Sequence, residues 1–188
     1  RWRSTQVGAR LADKAGMKTK GTLAEKVVDI IRDNKDPIRS ILLSSGTSVY
    51  KVAEALFRRR EEHTVRRVHS TSLLALDAFL FSNPADTYFS LLGKEFIRTT
   101  GALKDAARDQ RETLRKLRIA ASVIGFTGLS REGFYVDEEW EKEEMFTLLR
   151  PNKNCRLIIV PIEWHKIGCE EEGHLVEMGD VSGDAALD

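Results

Sequence analysis

The 188-residue chain has little of several things, and each shortage excludes a class of protein. It holds two cysteines, Cys155 and Cys169, and no secretory segment is visible, so a disulfide framework is excluded and a reducing, cytoplasmic setting with free thiols is expected. No apolar run approaches the ~20 residues that a membrane-spanning helix needs, and no membrane association is expected. Charge of one sign is also missing: 30 basic against 29 acidic residues give a formal net charge of +1. A domain that holds nucleic acid by electrostatics carries a marked basic excess, so direct nucleic-acid binding is not expected from the whole chain. The chain starts at Arg1 and not at a methionine, which leaves room for a preceding domain.

What remains is an ordinary globular composition, 41% apolar and 31% charged, long enough to bury roughly 70% of its unfolded surface as one domain without staples. Arginines cluster at Arg58, Arg59, Arg60, Arg66 and Arg67. Glu61 and Glu62 interrupt them, which points to a solvated face or a partner surface.

The strongest local signal is Ile41-Leu42-Leu43-Ser44-Ser45-Gly46-Thr47-Ser48-Val49, an apolar strand that runs through a hydroxyl-rich loop into a helix. Val49, Val52, Ala53, Leu56 and Phe57 recur at helical spacing, so the helix starts near Ser48 and its free N–H groups point into the loop. Gly46 permits close backbone approach, Ser45, Thr47 and Ser48 add donors, and the helix dipole favours negative charge. Ser and Thr also cap helices that bind nothing, so one such junction decides little. A second follows: Val65-Arg66-Arg67-Val68-His69-Ser70-Thr71-Ser72 leads into Leu73, Leu74, Leu76, Ala78, Phe79 and Leu80. Two successive hydroxyl-rich junctions are what a parallel sheet yields when its carboxyl-end loops share one ligand crevice.

Along the rest of the chain, residues 1–20 read as a basic arm or linker, and residues 21–170 as one α/β domain. Residues 171–188 read as an acidic, partly frayed tail with at most one short strand near Leu175-Val176. The first helix is expected at the capping box Thr22-Leu23-Ala24-Glu25, with Leu23, Val27, Ile30 and Ile31 on one face. Strand 41–43, helix 48–58, strand 65–69 and helix 72–81 come next, and Ser82-Asn83-Pro84-Ala85-Asp86 makes a turn. Thr87 to Gly93 reads as a third strand, residues 94–101 as a polar excursion, and 104–118 as a charged helix. A fourth strand, 121–125, enters Phe126-Thr127-Gly128. A helix with the acidic start Asp137-Glu138-Glu139 is stopped by Pro151-Asn152, and Arg156 to Pro161, the most apolar strand, is expected at the sheet centre. The alternation predicts an α/β fold, doubly wound, with a mostly parallel sheet and helices on both faces.

Taken together, Leu43 to Ser48, Ser70-Thr71-Ser72, Leu92-Gly93-Lys94 with Thr100-Gly101-Ala102, Ile124 to Gly128, and Lys166-Ile167-Gly168 resemble the effector-binding domain of DeoR-type sugar-metabolism regulators. Order and spacing agree from about Thr22 to Gly168. The resemblance implies a fold shared with ribose-5-phosphate isomerase, glucosamine-6-phosphate deaminase, CoA transferases and regulatory initiation-factor subunits. It implies a non-catalytic sensor of a small phosphorylated metabolite that needs no cofactor and self-associates. DNA contact would come only through a domain not present in this chain. Carried over by motif, Ser45, Gly46, Thr47 and Ser48 line the phosphate loop, Ser70 and Ser72 the second loop, Gly125 and Gly128 the third, and Lys166 supplies a positive charge.

The chain departs from that pattern in three places. Ser44 stands where the family usually has Asp; Glu163, Trp164 and His165 precede Lys166 in place of Asp and small residues; and the winged-helix DNA reader has no counterpart in the ~20 residues before the first helix. Two further readings stay open: a phosphosugar isomerase or deaminase of the same fold with Glu163 or His69 as base, and an interaction module that lost its ligand. His63 and His174 are isolated, Cys155 and Cys169 lack metal-ligand spacing, and no metal site is expected. The acids at 137–144 read as a solvated helix face.

Overall fold

The computed structural model describes residues 9, 11–82, 85–105, 107–149, 152–168 and 174–177. At its centre are the strands Ser40–Leu43 (β1), Arg67–Ser70 (β2), Tyr88–Leu91 (β3), Ala121–Val123 (β6) and Leu157–Ile159 (β9). They pair in parallel in the order β3-β2-β1-β6-β9. The doubly wound α/β sheet is therefore present.

β1 sits in the middle because all four of its residues are buried, and side chains alternate across a strand. Ile41 and Leu43 join one core with the helices Lys14–Arg32 (α1), Thr47–Arg58 (α2) and Leu73–Ser82 (α3). Leu42 faces the other core, with Leu114 of Ala107–Lys116 (α4) and Leu148 of Glu139–Leu149 (α5). The chain winds outward from β1 to β2 and β3, then returns to the other side of β1 for β6 and β9. The point of reversal lies between β1 and β6, where the loops after the two strands diverge and open a crevice.

Four local expectations differ from the structure. The most apolar strand is not central: β9 closes one edge of the sheet, pairs with β6, and leaves Ile158 41% exposed. The helix expected from Thr22 starts at Lys14. Asp13 caps it by accepting from Gly16 N–H, while the Thr22 hydroxyl turns back to the Lys18 carbonyl inside the helix. Part of the stretch read as an arm is thus helical. The polar excursion forms an antiparallel hairpin, Glu95–Ile97 (β4) with Ala102–Lys104 (β5), so Lys104 lies in a strand and α4 starts three residues later. A third sheet joins Gly128–Leu129 (β7), Gly133–Val136 (β8) and His174–Glu177 (β10). β10 falls where a short late strand was expected. Cys169, Asn83, Pro84, Pro151 and the tail from 178 onward lie outside the described residues.

The arginine cluster is used inside the molecule. Arg59 of the chain just after α2 bonds Glu25 and Asp29 of α1 and Glu62 of the short 3-10 turn Arg60–Glu62. Arg58 pairs with Glu25, and Arg60 with Asp86. These guanidiniums tie helices and turns together.

Candidate functional site

The loop after β1 leaves donors free. Gly46 stands immediately before α2 at φ 115° and ψ 156°, a conformation other residues rarely adopt, and no side chain caps the helix. Tyr50 N–H reaches the Gly46 carbonyl, but the N–H groups of Thr47, Ser48 and Val49 find no acceptor among the described residues. Ser45 is only 6% exposed, and its hydroxyl has no hydrogen-bond partner among them. Donors left open at a pocket wall are available to an acceptor that enters it.

Ser44 holds the loop in place. Its side chain accepts from Gly125 N–H at 3.0 Å and donates to the Ser45 carbonyl at 3.1 Å, joining the loops that follow β1 and β6. Gly125 is packed so closely that a Cβ there would sit 3.1 Å from the Ser45 carbonyl oxygen. Ser44 is itself fully buried, with both of these bonds made.

Positive charge arrives from two directions. Lys20 of α1, 6% exposed, places Nζ 3.0 Å from Thr47 Oγ1 and 4.0 Å from Glu163 Oε2. Lys166, at the end of the 3-10 turn Trp164–Lys166, lies 3.5 Å from the same oxygen. Glu163 is 4% exposed. Two ammonium groups thus meet at one carboxylate beneath a helix end that is itself positive.

These elements border one pocket of about 60 Å³, lined by Ser45, Gly46, Thr47, Ser48, Gly125 and Lys166, together with Thr100, Phe126, Thr127, Val136 and residues of the segment leading into α5. The space is ample for a phosphate group, since one water needs roughly 10–15 Å³, and the pocket is partly open to solvent. Ser70, Ser72 and Gly128 are not among the lining residues. Ser70 donates to the Leu43 carbonyl and accepts from Ser72 N–H, and Ser72 accepts from Ala75 N–H at the start of α3. Gly128 pairs with Tyr135 in the small sheet. Local structure already engages all three.

Two groups escaped sequence reasoning. The buried face of α1 is Lys20, Ala24, Val27, Val28 and Ile31; extending the apolar stripe backward by one turn lands on a lysine, which was the available signal. The acids of α5 are not a solvated face, because Glu141 and Glu144 are buried. They continue the inward stripe of Met145 and Leu148, again at helical spacing. Glu141 lines the pocket with Asp137. Burial, with Asp137 nearby, pushes its carboxyl up to about 7. Burial does the same to Glu144, to about 7, against the opposing pull of Gln110 and Thr71.

The other candidates sit elsewhere. His69 Nδ1 bonds Ser90 Oγ at 2.5 Å within the sheet, is not among the pocket-lining residues, and is kept neutral by burial. His63 bonds the Leu56 carbonyl. His174 pairs with Glu139. Among the described residues no group of three or more His, Cys, Asp or Glu is placed to hold a metal ion.

No protein-family model and no curated protein matches the chain. Among solved structures, a D-ribose-5-phosphate isomerase in complex with phospho-erythronic acid has a TM-score of 0.51 at 14% identity, over 80% of this chain and 53% of that one. The fold is one shared with ribose-5-phosphate isomerase. The isomerase A of Methanocaldococcus jannaschii has a TM-score of 0.49 at 15% identity, over 80% of this chain and 54% of that one. A tetrameric eIF2B β2δ2 complex from C. thermophilum has 0.49 at 10% identity, over 83% and 44%. The chain spans about half the length of the isomerases it matches. Among the described residues no helix is long and apolar enough to cross a membrane.

Proposed function

We propose that the protein binds a small phosphorylated metabolite, a sugar phosphate, and acts without catalysis as a sensor domain of DeoR type in the control of carbohydrate metabolism or transcription. One observation carries the binding reading: free N–H groups of Thr47, Ser48 and Val49 and the unpartnered Ser45 hydroxyl border the same pocket as Lys166, with Lys20 bonded to Thr47 behind them. Donors, helix dipole and the Lys166 ammonium favour an anion on this side of the pocket, and phosphate satisfies several donors at once. An isomerase of this fold in complex with phospho-erythronic acid supports the choice of ligand class. The sensor role rests on the resemblance of the loop motifs, and so does self-association. Leu80 and Phe81 of α3 and Tyr88 of the edge strand β3, all exposed, support the latter.

The test is thermal unfolding with inorganic phosphate and a panel of sugar phosphates. A ligand at about 100 times its Kd adds roughly 2.7 kcal/mol. No stabilisation by phosphate or by any member of the panel would overturn the reading.

One observation favours the enzymatic alternative. Glu141, held near 7 in the pocket, has the proton affinity that general acid-base catalysis uses at neutral pH. Glu163 and His69 are poorer bases, one clamped by two lysines and the other bonded to Ser90. Turnover of ribose 5-phosphate that disappears in Glu141→Gln would establish this alternative, and its absence with a bound phosphosugar would exclude it. The third reading, an occluded and ligand-free module, fits poorly with a pocket bordered by free donors.

A further inference from the structure

The pocket has two walls of opposite character. One is the loop after β1 with Lys166; the other comes from Asp137 and Glu141, on and just before α5. Glu141 is 8% exposed, and both hydrogen bonds it accepts, from Asp137 N–H at 3.0 Å and Glu138 N–H at 3.3 Å, fall on Oε2. Oε1 accepts none among the described residues, and no cationic side chain is bonded to this carboxyl. A buried carboxylate without a cationic partner is costly, which is why its proton is held so firmly. The loop wall carries Lys166, and Lys20 lies behind it at Thr47 and Glu163. Both walls line the same pocket, so one molecule that seats its anion on the loop presents its remaining atoms to the carboxylates.

From this juxtaposition we infer that the ligand is zwitterionic: a phosphomonoester whose carbon chain also bears a primary ammonium group, the phosphate on Gly46–Ser48 and the ammonium on Glu141 Oε1. The inference rests on the anion-binding reading above and narrows its ligand class. A hydroxyl in place of the ammonium satisfies the geometry without neutralising the carboxylate. A second phosphate meets like charge at Glu141 and Asp137 and is rejected.

Three small probes separate the two ideas: inorganic phosphate, O-phosphoethanolamine and 2-hydroxyethyl phosphate, titrated calorimetrically at pH 8, where Glu141 is ionised. The expected result is binding of all three, with O-phosphoethanolamine about tenfold tighter than its hydroxyl analogue, the effect of one charge-assisted contact. In Glu141→Gln, which keeps an oxygen for the two backbone N–H groups, the preference collapses toward one while inorganic phosphate binds at least as tightly. Asp137→Asn, read the same way, guards against a folding defect in the first variant. Binding of phosphate with no preference for the amine in the wild-type protein overturns the zwitterion inference and leaves the anion site standing. Failure of all three probes overturns both.

Discussion

Lys20 Nζ lies 3.0 Å from Thr47 Oγ1, across 27 positions of sequence. A lysine on the inward face of α1 thereby meets the first residue of α2 at the one place where α2 leaves its N–H groups free. The contact converts a common strand-loop-helix junction into a charged cradle.

Replacing Lys20 by Met keeps the length of the side chain and removes that charge. Lys166 is then the one lysine left at Glu163 among the described contacts, and the positive potential at the start of α2 falls. Phosphate affinity is expected to fall by about tenfold or more, the equivalent of roughly 1.5–3 kcal/mol for a hydrogen bond to a charged group. Calorimetric titration checks this; an unchanged Kd would mean that Lys20 is only a structural tie.

Gly46→Ala tests the backbone. Nothing lies within 4 Å of the added Cβ, so the effect isolates the φ of +115°. Strain of this kind costs about 1–3 kcal/mol. Urea unfolding should show a lower midpoint with an unchanged slope, and a midpoint equal to the wild type would show that the loop adopts another conformation in solution.

Ser44→Ala removes the acceptor of Gly125 N–H and leaves that donor buried between two loops. A loss of about 1–3 kcal/mol of stability is expected. Phosphate binding should weaken with it, because Gly125 and Ser45 border the same pocket. Retained affinity together with lost stability would separate the clamp from the site.

Glu144 contributes to the pH dependence of stability, with Glu141 acting in the same sense. The Glu144 carboxyl is raised from 4.5 to about 7 by burial, so between those values the folded chain holds more protons than the unfolded one. Stability from this group is complete below about 4.5, declines as pH rises to about 7, and is level above. At about 1.4 kcal/mol per unit, the difference is on the order of 3 kcal/mol. His63 and His69, lowered by burial, contribute with the opposite sign below 6.5. They remain in Glu144→Gln, so subtracting that variant's pH profile isolates the carboxyl. Parallel profiles for the two proteins would refute the assignment.

Much of the site was legible in order but not in partnership. Ser45 to Ser48, Gly125 and Lys166 come together at one pocket, because a hydroxyl-rich turn between strand and helix is a local pattern. Ser70 and Ser72 look identical in sequence yet are engaged as local caps. Nothing in a run of Ser and Thr distinguishes a hydroxyl bonded to its own turn from one left open. The antiparallel strands β4, β5, β7 and β8 are not legible in sequence although β1 and β9 are of similar length: Glu95–Ile97 and Ala102–Lys104 mix charged with apolar residues, and β7 and β8 are defined by pairing across a turn, so no strand-then-helix pattern marks them.

The sequence by itself determined the alternation of strand and helix and the chemistry of the loop after β1, since both depend on residue type and on spacing within one or two turns. The tertiary structure alone decided that β1 and not β9 is central, that the winding reverses between β1 and β6, and that Lys20, Glu163 and Glu141 reach the same neighbourhood. Lys20 meets Thr47 and Glu163, and Glu141 lines the same pocket as Thr47; separations of that size leave no trace in local periodicity, because only packing of distant elements creates the contacts.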